Sequence, residues 1–366
     1  MTVSPHTMGS AYLEWAKLCS AAKFNLATSG IMSYPLSDLP VRIEDLEING
    51  PTVYGYDPLQ ERLARKSAVS PDCVVAANGT AMANHLAMAA VIEPGDDVLV
   101  ERPTYGPMLE VAQYLRANIR RLERRAENHF QIDPDEVKAG VSKKTKLIVL
   151  TNLHNPSGAF ISEETLQVIG EIAAQAGAYV LVDEVYLDTV YDLPVRSSFH
   201  LGPQFIVTNS LTKAYGLSGL RCGWILAEPR LAHRIWRLDD LFGASPVHPA
   251  ELLSVIALDH LDRIDARARR ILAANRSALD VFFAGRCDLS GFRSTWGTVA
   301  FPALNRGSVD DFCEFLRARF ETSVVPGHFF DMPNHFRIGL GGDPQMTAEA
   351  LRRLAAALDE FGAELS

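Results

Sequence analysis

Apolar positions along this chain of 366 residues fall into short runs separated by longer stretches of mixed character. Six of these runs predict strands: VVAA (74–77), VLVE (98–101), KLIVLTN (146–152), AYVLVDE (178–184), QFIVTNS (204–210) and CGWILAE (222–228). Helical patterns lie between most of them, at 80–92, 105–116 and 163–176. Strands alternating with helices predict an α/β fold, with a mostly parallel sheet flanked by helices on both faces. In such a sheet the ligand sits at the carboxyl ends of the strands, so the residues just after each run are the first place to look for chemistry.

Beyond residue 229 the pattern changes. A long helical region covers 229–280, strands are predicted near 297–304 and 335–340, and helices at 308–320 and 344–361. The last helix puts Leu351, Leu354, Leu358 and Phe361 on one face, a core stripe at helical spacing. These features predict a large domain over 46–274, with residues 1–45 and 275–366 forming a smaller α+β domain against it.

Composition narrows the classes. With 48% apolar and 22% charged residues the chain reads as globular, and a net charge of −9 without a basic run argues against nucleic acid. The start of the chain lacks the basic and apolar segments of a signal peptide, and no apolar run approaches a membrane span. Five scattered cysteines, with no C-x-x-C, read as reduced core thiols of a cytoplasmic protein. No strand is followed by G-x-G-x-x-G, and no H-E-x-x-H or comparable cluster suggests a metal.

Four strand ends carry polar groups: Asn78-Gly79-Thr80, Asn152 to Gly158, Asp183-Glu184-Val185-Tyr186, and Ser210 to Lys213 with Arg221 beyond. Each has an ordinary reading by itself. Asn78-Gly79 suits a turn, Asp183-Glu184 a solvated loop, Lys213 a surface position and Arg221 an ion pair. Together they meet the needs of one cofactor, pyridoxal 5′-phosphate (PLP). A helix opening at Gly79 and Thr80 offers free N–H groups to a phosphate, and Ser210 and Arg221 add a hydroxyl and a forked cation. Asp183 ends a buried strand and needs a cationic partner, which a pyridinium nitrogen supplies. At an effective dielectric of ~20, such a pair about 4 Å apart attracts by roughly 4 kcal/mol, enough to keep the ring protonated. Lys213 supplies the amine that condenses with the aldehyde.

These motifs resemble those of the class I/II aminotransferases, the fold type I PLP enzymes. The resemblance rests on SLTKAYGLSGLR (210–221), Asn155-Pro156-Ser157-Gly158, Asp183-Glu184-Val185-Tyr186, and His335-Phe336-Arg337-Ile338-Gly339. It implies that Lys213 carries PLP as a Schiff base and later moves the proton. Asp183 would pair with the ring nitrogen, and Asn155 and Tyr186 would bind the phenolic oxygen. Asn78, Gly79, Thr80, Ser210 and Arg221 would hold the phosphate, and Tyr105 would stack on the ring. Arg337 would clamp the substrate α-carboxylate, with Asn155 and the Ser29-Gly30 segment beside it. A homodimer is implied as well, because active sites in that family lie at the subunit interface.

The sequence departs from the family twice. The tyrosine that reaches the partner subunit's phosphate has two candidates, Tyr54 and Tyr56, in an apparently shortened segment. The stretch Phe242 to Pro249 lacks the arginine that binds a distal carboxylate in aspartate-type members, so dicarboxylate substrates are not implied. The expected reaction is transamination between an amino acid and a 2-oxo acid. A PLP-dependent β-eliminating lyase shares nearly the same contacts and is the alternative. A non-catalytic PLP-binding sensor is disfavoured, because no helix-turn-helix pattern precedes the core.

Overall fold

A computed structural model of the chain describes residues 9–51 and 53–364. Seven strands form one sheet: β1 (Val74–Asn78), β2 (Asp97–Arg102), β3 (Asn118–Glu123), β4 (Thr145–Thr151), β5 (Tyr179–Asp183), β6 (Phe205–Ser210) and β7 (Cys222–Leu226). Their order is β1-β7-β6-β5-β4-β2-β3. Strands β2 to β6 pair in parallel, and β7 lies antiparallel between β1 and β6. The chain is therefore α/β, as its periodicity predicts.

The eleven helices are α1 (Ala11–Leu18), α2 (Asp57–Ser67), α3 (Gly79–Ala89), α4 (Gly106–Tyr114), α5 (Pro134–Gly140), α6 (Glu163–Ala176), α7 (Pro229–Asp239), α8 (His248–Asp259), α9 (Leu261–Phe283), α10 (Val309–Phe320) and α11 (Pro344–Glu364), counted among the described residues. Alternate strand residues pack on opposite helices, as the two-residue period of a strand requires. Val98, Val100, Leu147, Val149 and Leu181 share a core with Leu86 of α3. Leu99, Ile148, Leu150, Val180 and Val182 share another with Leu166 and Ile169 of α6. With both faces covered, β6 has no exposed position, which is why its sequence reads as a continuous run.

The differences from expectation have local causes. Strand β3 was not predicted: its sequence NIRRLE is charged because it forms the sheet's edge. The helical region 229–280 is three helices, interrupted around Gly243 and Pro246. The expected strand at 297–304 is two short pieces, Val299–Ala300 and Ala303–Leu304, separated by Phe301 and Pro302. The core-thiol reading holds for Cys73 and Cys222, which are buried, but Cys19 and Cys287 are exposed. Among the described residues no helix is long and apolar enough to cross a membrane.

A second, smaller sheet joins β8 (Val299–Ala300), β9 (Val325–Pro326) and β10 (Phe336–Gly339) in the order β8-β10-β9, all antiparallel. Its core holds Leu26, Phe312, Leu316, Phe336 and Ile338 together with Leu351, Leu354 and Leu358 of the final helix, and Phe361 packs at the edge. The segment 26–32 crosses this region. Gly339 N donates to Leu26 O, and a Cβ on Gly339 would stand 1.9 Å from Thr28 O, so only glycine permits the approach. That crossing carries Ser29 and Gly30 to the strand ends of the large sheet.

Candidate active site

The end of β1 turns into α3 at Asn78 and Gly79. Gly79 has φ +75°, and a Cβ there would meet the Arg221 guanidinium at 2.1 Å. Gly223 on β7 has no room either, because its Cβ would fall 2.4 Å from the carbonyl carbon of Gly79. The first turn of α3 has no side-chain cap, so its leading N–H groups remain available to a ligand. Thr80 Oγ1 donates to Ser210 Oγ at 2.7 Å, bringing the two hydroxyls to the same place. Arg221, in the left-handed conformation at φ +49°, donates to Asn78 O at 3.2 Å and to Ser218 O at 3.3 Å. Its guanidinium is exposed and has no carboxylate partner among the described residues. Free N–H groups, two hydroxyls and an unpaired cation make an anion cradle.

Asp183 ends β5, and Lys213 follows the neighbouring strand β6. Asp183 is buried; its Oδ2 accepts from Asn84 Nδ2 at 2.9 Å and its Oδ1 from Val185 N at 3.1 Å. Burial nevertheless pushes the carboxyl up to about 6, with the Asn84 bond opposing. The Lys213 charge acts on it from a distance, but no cation pairs with it directly among the described residues. The next residue, Glu184, faces the other way and accepts from Ser198 N at 2.7 Å and Ser198 Oγ at 2.6 Å, so the acidic pair divides between two places. Lys213 is half-buried and donates from Nζ to Ser29 Oγ at 3.1 Å. Desolvation, reinforced by the Arg337 charge and opposed by Asp183, brings its amine down to about 8.

Arg337, on β10, is fully buried. It donates to Asn155 Oδ1 at 2.9 Å, to Tyr12 Oη at 2.8 Å and to Ala27 O at 3.3 Å, while its buried Nε has no partner. The guanidinium also lies over the rings of Tyr12 and Phe330, 5.5 and 5.0 Å from their centroids. No carboxylate pairs with it among the described residues. Tyr186 is buried, and burial pushes its phenol up to about 12 against the pull of Arg337. Tyr105 caps α4 and meets the Tyr12 ring edge-on at 5.7 Å; burial drives its phenol well above the usual range, with the Asp183 and Tyr186 charges adding to the rise. Gly30 lies against Lys213, 3.3 Å from Cδ to where a Cβ would stand.

Thus Lys213, Asp183, Tyr186, Asn155, Arg337, Tyr105 and Gly30 gather at one place, with Thr80, Ser210, Arg221, Asn78 and Gly79 grouped at one end of it. Tyr54 and Tyr56 stand apart. The Tyr54 phenol donates to Asp240 Oδ2 at 2.8 Å and the residue is 46% exposed, while Tyr56 packs edge-on against His248. Two contributors escaped the sequence reading. Asn84 carries no motif, and only its position one helical turn beyond Thr80 hinted at it. Tyr12 lies in an N-terminal helix that was not predicted, more than three hundred residues from the arginine it touches.

A protein-family model, aminotransferase class I and II, matches residues 47–354. The chain belongs to that family. Among its relatives, capreomycidine synthase of Streptomyces vinaceus is 31% identical, over 93% of this chain and 90% of the relative. A PLP-dependent aminotransferase from Streptococcus suis superimposes with a TM-score of 0.91 at 26% identity, covering 99% of both chains. The PLP-dependent cyclase OrfR superimposes with a TM-score of 0.89 at 22% identity over 99% of this chain and 100% of the other, which speaks to the fold. The residues fit PLP on their own terms: a cradle too tight for a side chain at Gly79, a buried carboxylate with no ion-pair partner among the described residues, and a desolvated lysine. The chain is accordingly a PLP-dependent enzyme of the aminotransferase class.

Proposed function

We propose that the enzyme moves an amino group from an α-amino acid to a 2-oxo acid in two half-reactions centred on Lys213. The observation that carries this reading is Arg337, a fully buried guanidinium without a carboxylate partner among the described residues, whose charge is felt at the Lys213 amine. A buried cation left in that state requires an anion to complete it. An α-carboxylate bound bidentately there would set the substrate's Cα beside Lys213.

PLP, when bound, supplies an electron-withdrawing ring that acidifies the substrate's Cα–H. The protein's groups do the rest. Lys213 is the point of attachment, and its depressed basicity leaves enough free amine near neutral pH to take up and return the substrate's proton. Asp183 offers the counter-charge for the ring nitrogen, held in place by Asn84. Asn155 and Tyr186 stand ready for the phenolic oxygen, and Asn155 is oriented by its bond from Arg337. Asn78, Gly79, Thr80, Ser210 and Arg221 take the phosphate, Tyr105 covers the ring, and Gly30 closes the carboxylate side.

The working molecule in this reading is a cytoplasmic homodimer. Ile48, Val53, Leu241, Phe242 and Val247 are all more than half exposed, and Ile48, Val53 and Val247 line a cavity of about 400 Å³ together with Tyr56 and His248. An apolar surface of that kind favours burial against a second copy. Tyr54, exposed on the same side, would then reach the partner subunit's phosphate. Residues 46–274 act as the cofactor domain, and residues 1–45 with 275–366 as the domain that delivers Arg337.

One observation favours a second reading. The relative that is 31% identical bears the name of a synthase, and elimination or rearrangement chemistry would use the same contacts. Absorption spectra of the purified enzyme, taken before and after adding single amino acids, decide between them. Transamination predicts a band near the visible edge that converts to the pyridoxamine form with release of a keto acid, and no band in Lys213→Ala. Ammonia release, or a new product formed without the pyridoxamine form, would replace transamination with the second reading.

A further inference from the structure

Beyond its segment's place beside the substrate carboxylate, Ser29 has been given no part in the chemistry, yet its hydroxyl accepts a hydrogen bond from the reactive atom of the site, Lys213 Nζ, at 3.1 Å. Its position is fixed by the fold. Ser29 O accepts from Thr298 Oγ1 at 2.5 Å, and Thr298 is fully buried. On either side the segment is tied down by Leu26 N to Ser323 O at 2.8 Å, Ile31 N to Lys213 O at 2.8 Å and Met32 N to Gly341 O at 2.7 Å. Ser29 is itself 4% exposed, so water does not readily replace it.

We infer that Ser29 is a positioning residue for Lys213, holding one N–H of the amine so that the nitrogen lone pair points at the substrate's Cα proton. A neutral lysine amine has two N–H bonds and one lone pair and rotates freely about its last bond. A single fixed acceptor removes that freedom, and it costs the reaction nothing in charge because the hydroxyl stays neutral throughout. When Nζ takes the Cα proton it becomes an ammonium, a stronger donor, and the bond to Ser29 Oγ tightens. Ser29 thus favours the protonated lysine slightly over the free one. The charged and titratable groups around Nζ are Asp183 from the end of β5, Arg337 from β10 and Arg221 ahead of β7, and the Tyr186 phenol is itself hydrogen-bonded to the Ser29 hydroxyl, which leaves the Ser29 oxygen to accept from Nζ. None of them donates to or accepts from Nζ within hydrogen-bond distance, so Ser29 supplies the directional contact among the described residues.

The inference rests on the reading of Lys213 as cofactor lysine and base, and the experiment separates the two. The cofactor-free enzyme is prepared with ¹³Cε-labelled lysine, and the Lys213 signal is identified by its loss in Lys213→Ala. Its pH titration is then compared among the native chain, Ser29→Ala and Ser29→Thr, alongside steady-state kinetics of the loaded enzymes. Loss of the acceptor is expected to move the Lys213 midpoint to lower pH by about half a unit to one unit. It should lower kcat roughly ten- to hundredfold with KM little changed, and Ser29→Thr, which keeps the hydroxyl, should restore both. An unmoved midpoint in Ser29→Ala overturns the inference, whether or not activity falls, because a loss of packing alone would leave the midpoint in place. Failure of borohydride to fix PLP on Lys213 in the native chain would instead overturn the underlying reading.

Discussion

The anion cradle takes its groups from β1, β7 and β6, strands that lie side by side in one sheet, whereas the clamp at Arg337 draws on segments from Tyr12 to β10. In the cradle, Gly223 lies within the β1–β7 ladder, Gly79 and Arg221 directly flank its last pair, Asn78 and Cys222, and the close contact between Gly79 and Gly223 leaves little freedom. In the clamp, Asn155 comes from the loop after β4, Ala27 from the N-terminal crossing and Tyr12 from α1, all meeting on one guanidinium. A cradle of that kind is rigid before any ligand arrives. The clamp is assembled by contacts between elements that share no sheet, so its geometry depends on how those elements pack against one another.

If that division is right, substitutions at the two cations should separate cleanly. Arg337→Ala should raise KM for an α-amino acid roughly a hundredfold, the loss of two charge-assisted hydrogen bonds, while PLP affinity stays within about twofold. Arg221→Ala should do the reverse, weakening PLP roughly tenfold to a hundredfold with little change in KM once the enzyme is saturated. Cofactor titrations and steady-state kinetics on the same preparations read both, and an equal effect of either change on both constants would dissolve the comparison.

The pH dependence sharpens it next. Lys213 must be neutral to condense with an aldehyde, and its amine is brought down to about 8. Below that value the neutral fraction falls about tenfold for each pH unit. The rate of PLP capture by the cofactor-free enzyme, followed in a stopped-flow spectrometer, should therefore rise with pH and level off above about 8. Binding of a PLP analogue without the aldehyde keeps the cradle and the ring contacts but needs no free amine, so it should lack this rise.

The smallest effect is expected at Tyr12→Phe. Arg337 would lose one acceptor but keep Ala27 O and Asn155 Oδ1, and the ring would remain under the guanidinium. KM should rise about three- to tenfold with kcat and PLP affinity unchanged. A change in PLP affinity instead would mean that the clamp and the cradle are coupled.

Much of this was legible in the chain. The runs that became β1, β2 and β4 to β7 are buried on both faces and so read as apolar, and the polar residues that follow them stand out against that background. Asp183, Lys213 and Arg221 stood out as candidates for that reason. Strand β3 did not stand out, because an edge strand carries charge, and helix α1 did not, because only Tyr12 within it is buried.

What the sequence by itself determined is the α/β order, the polar residues gathered at the strand ends and membership of the aminotransferase class, since each is encoded in residues close together along the chain or repeated at a regular period. What only the tertiary structure decided is who meets whom across the two sheets: Ser29 on Lys213, Asn84 on Asp183, Tyr12 and Asn155 on Arg337. Those pairings join residues up to 325 positions apart. No local pattern encodes them, because they follow from how separately folded surfaces pack, and packing depends on the whole set of buried side chains at once.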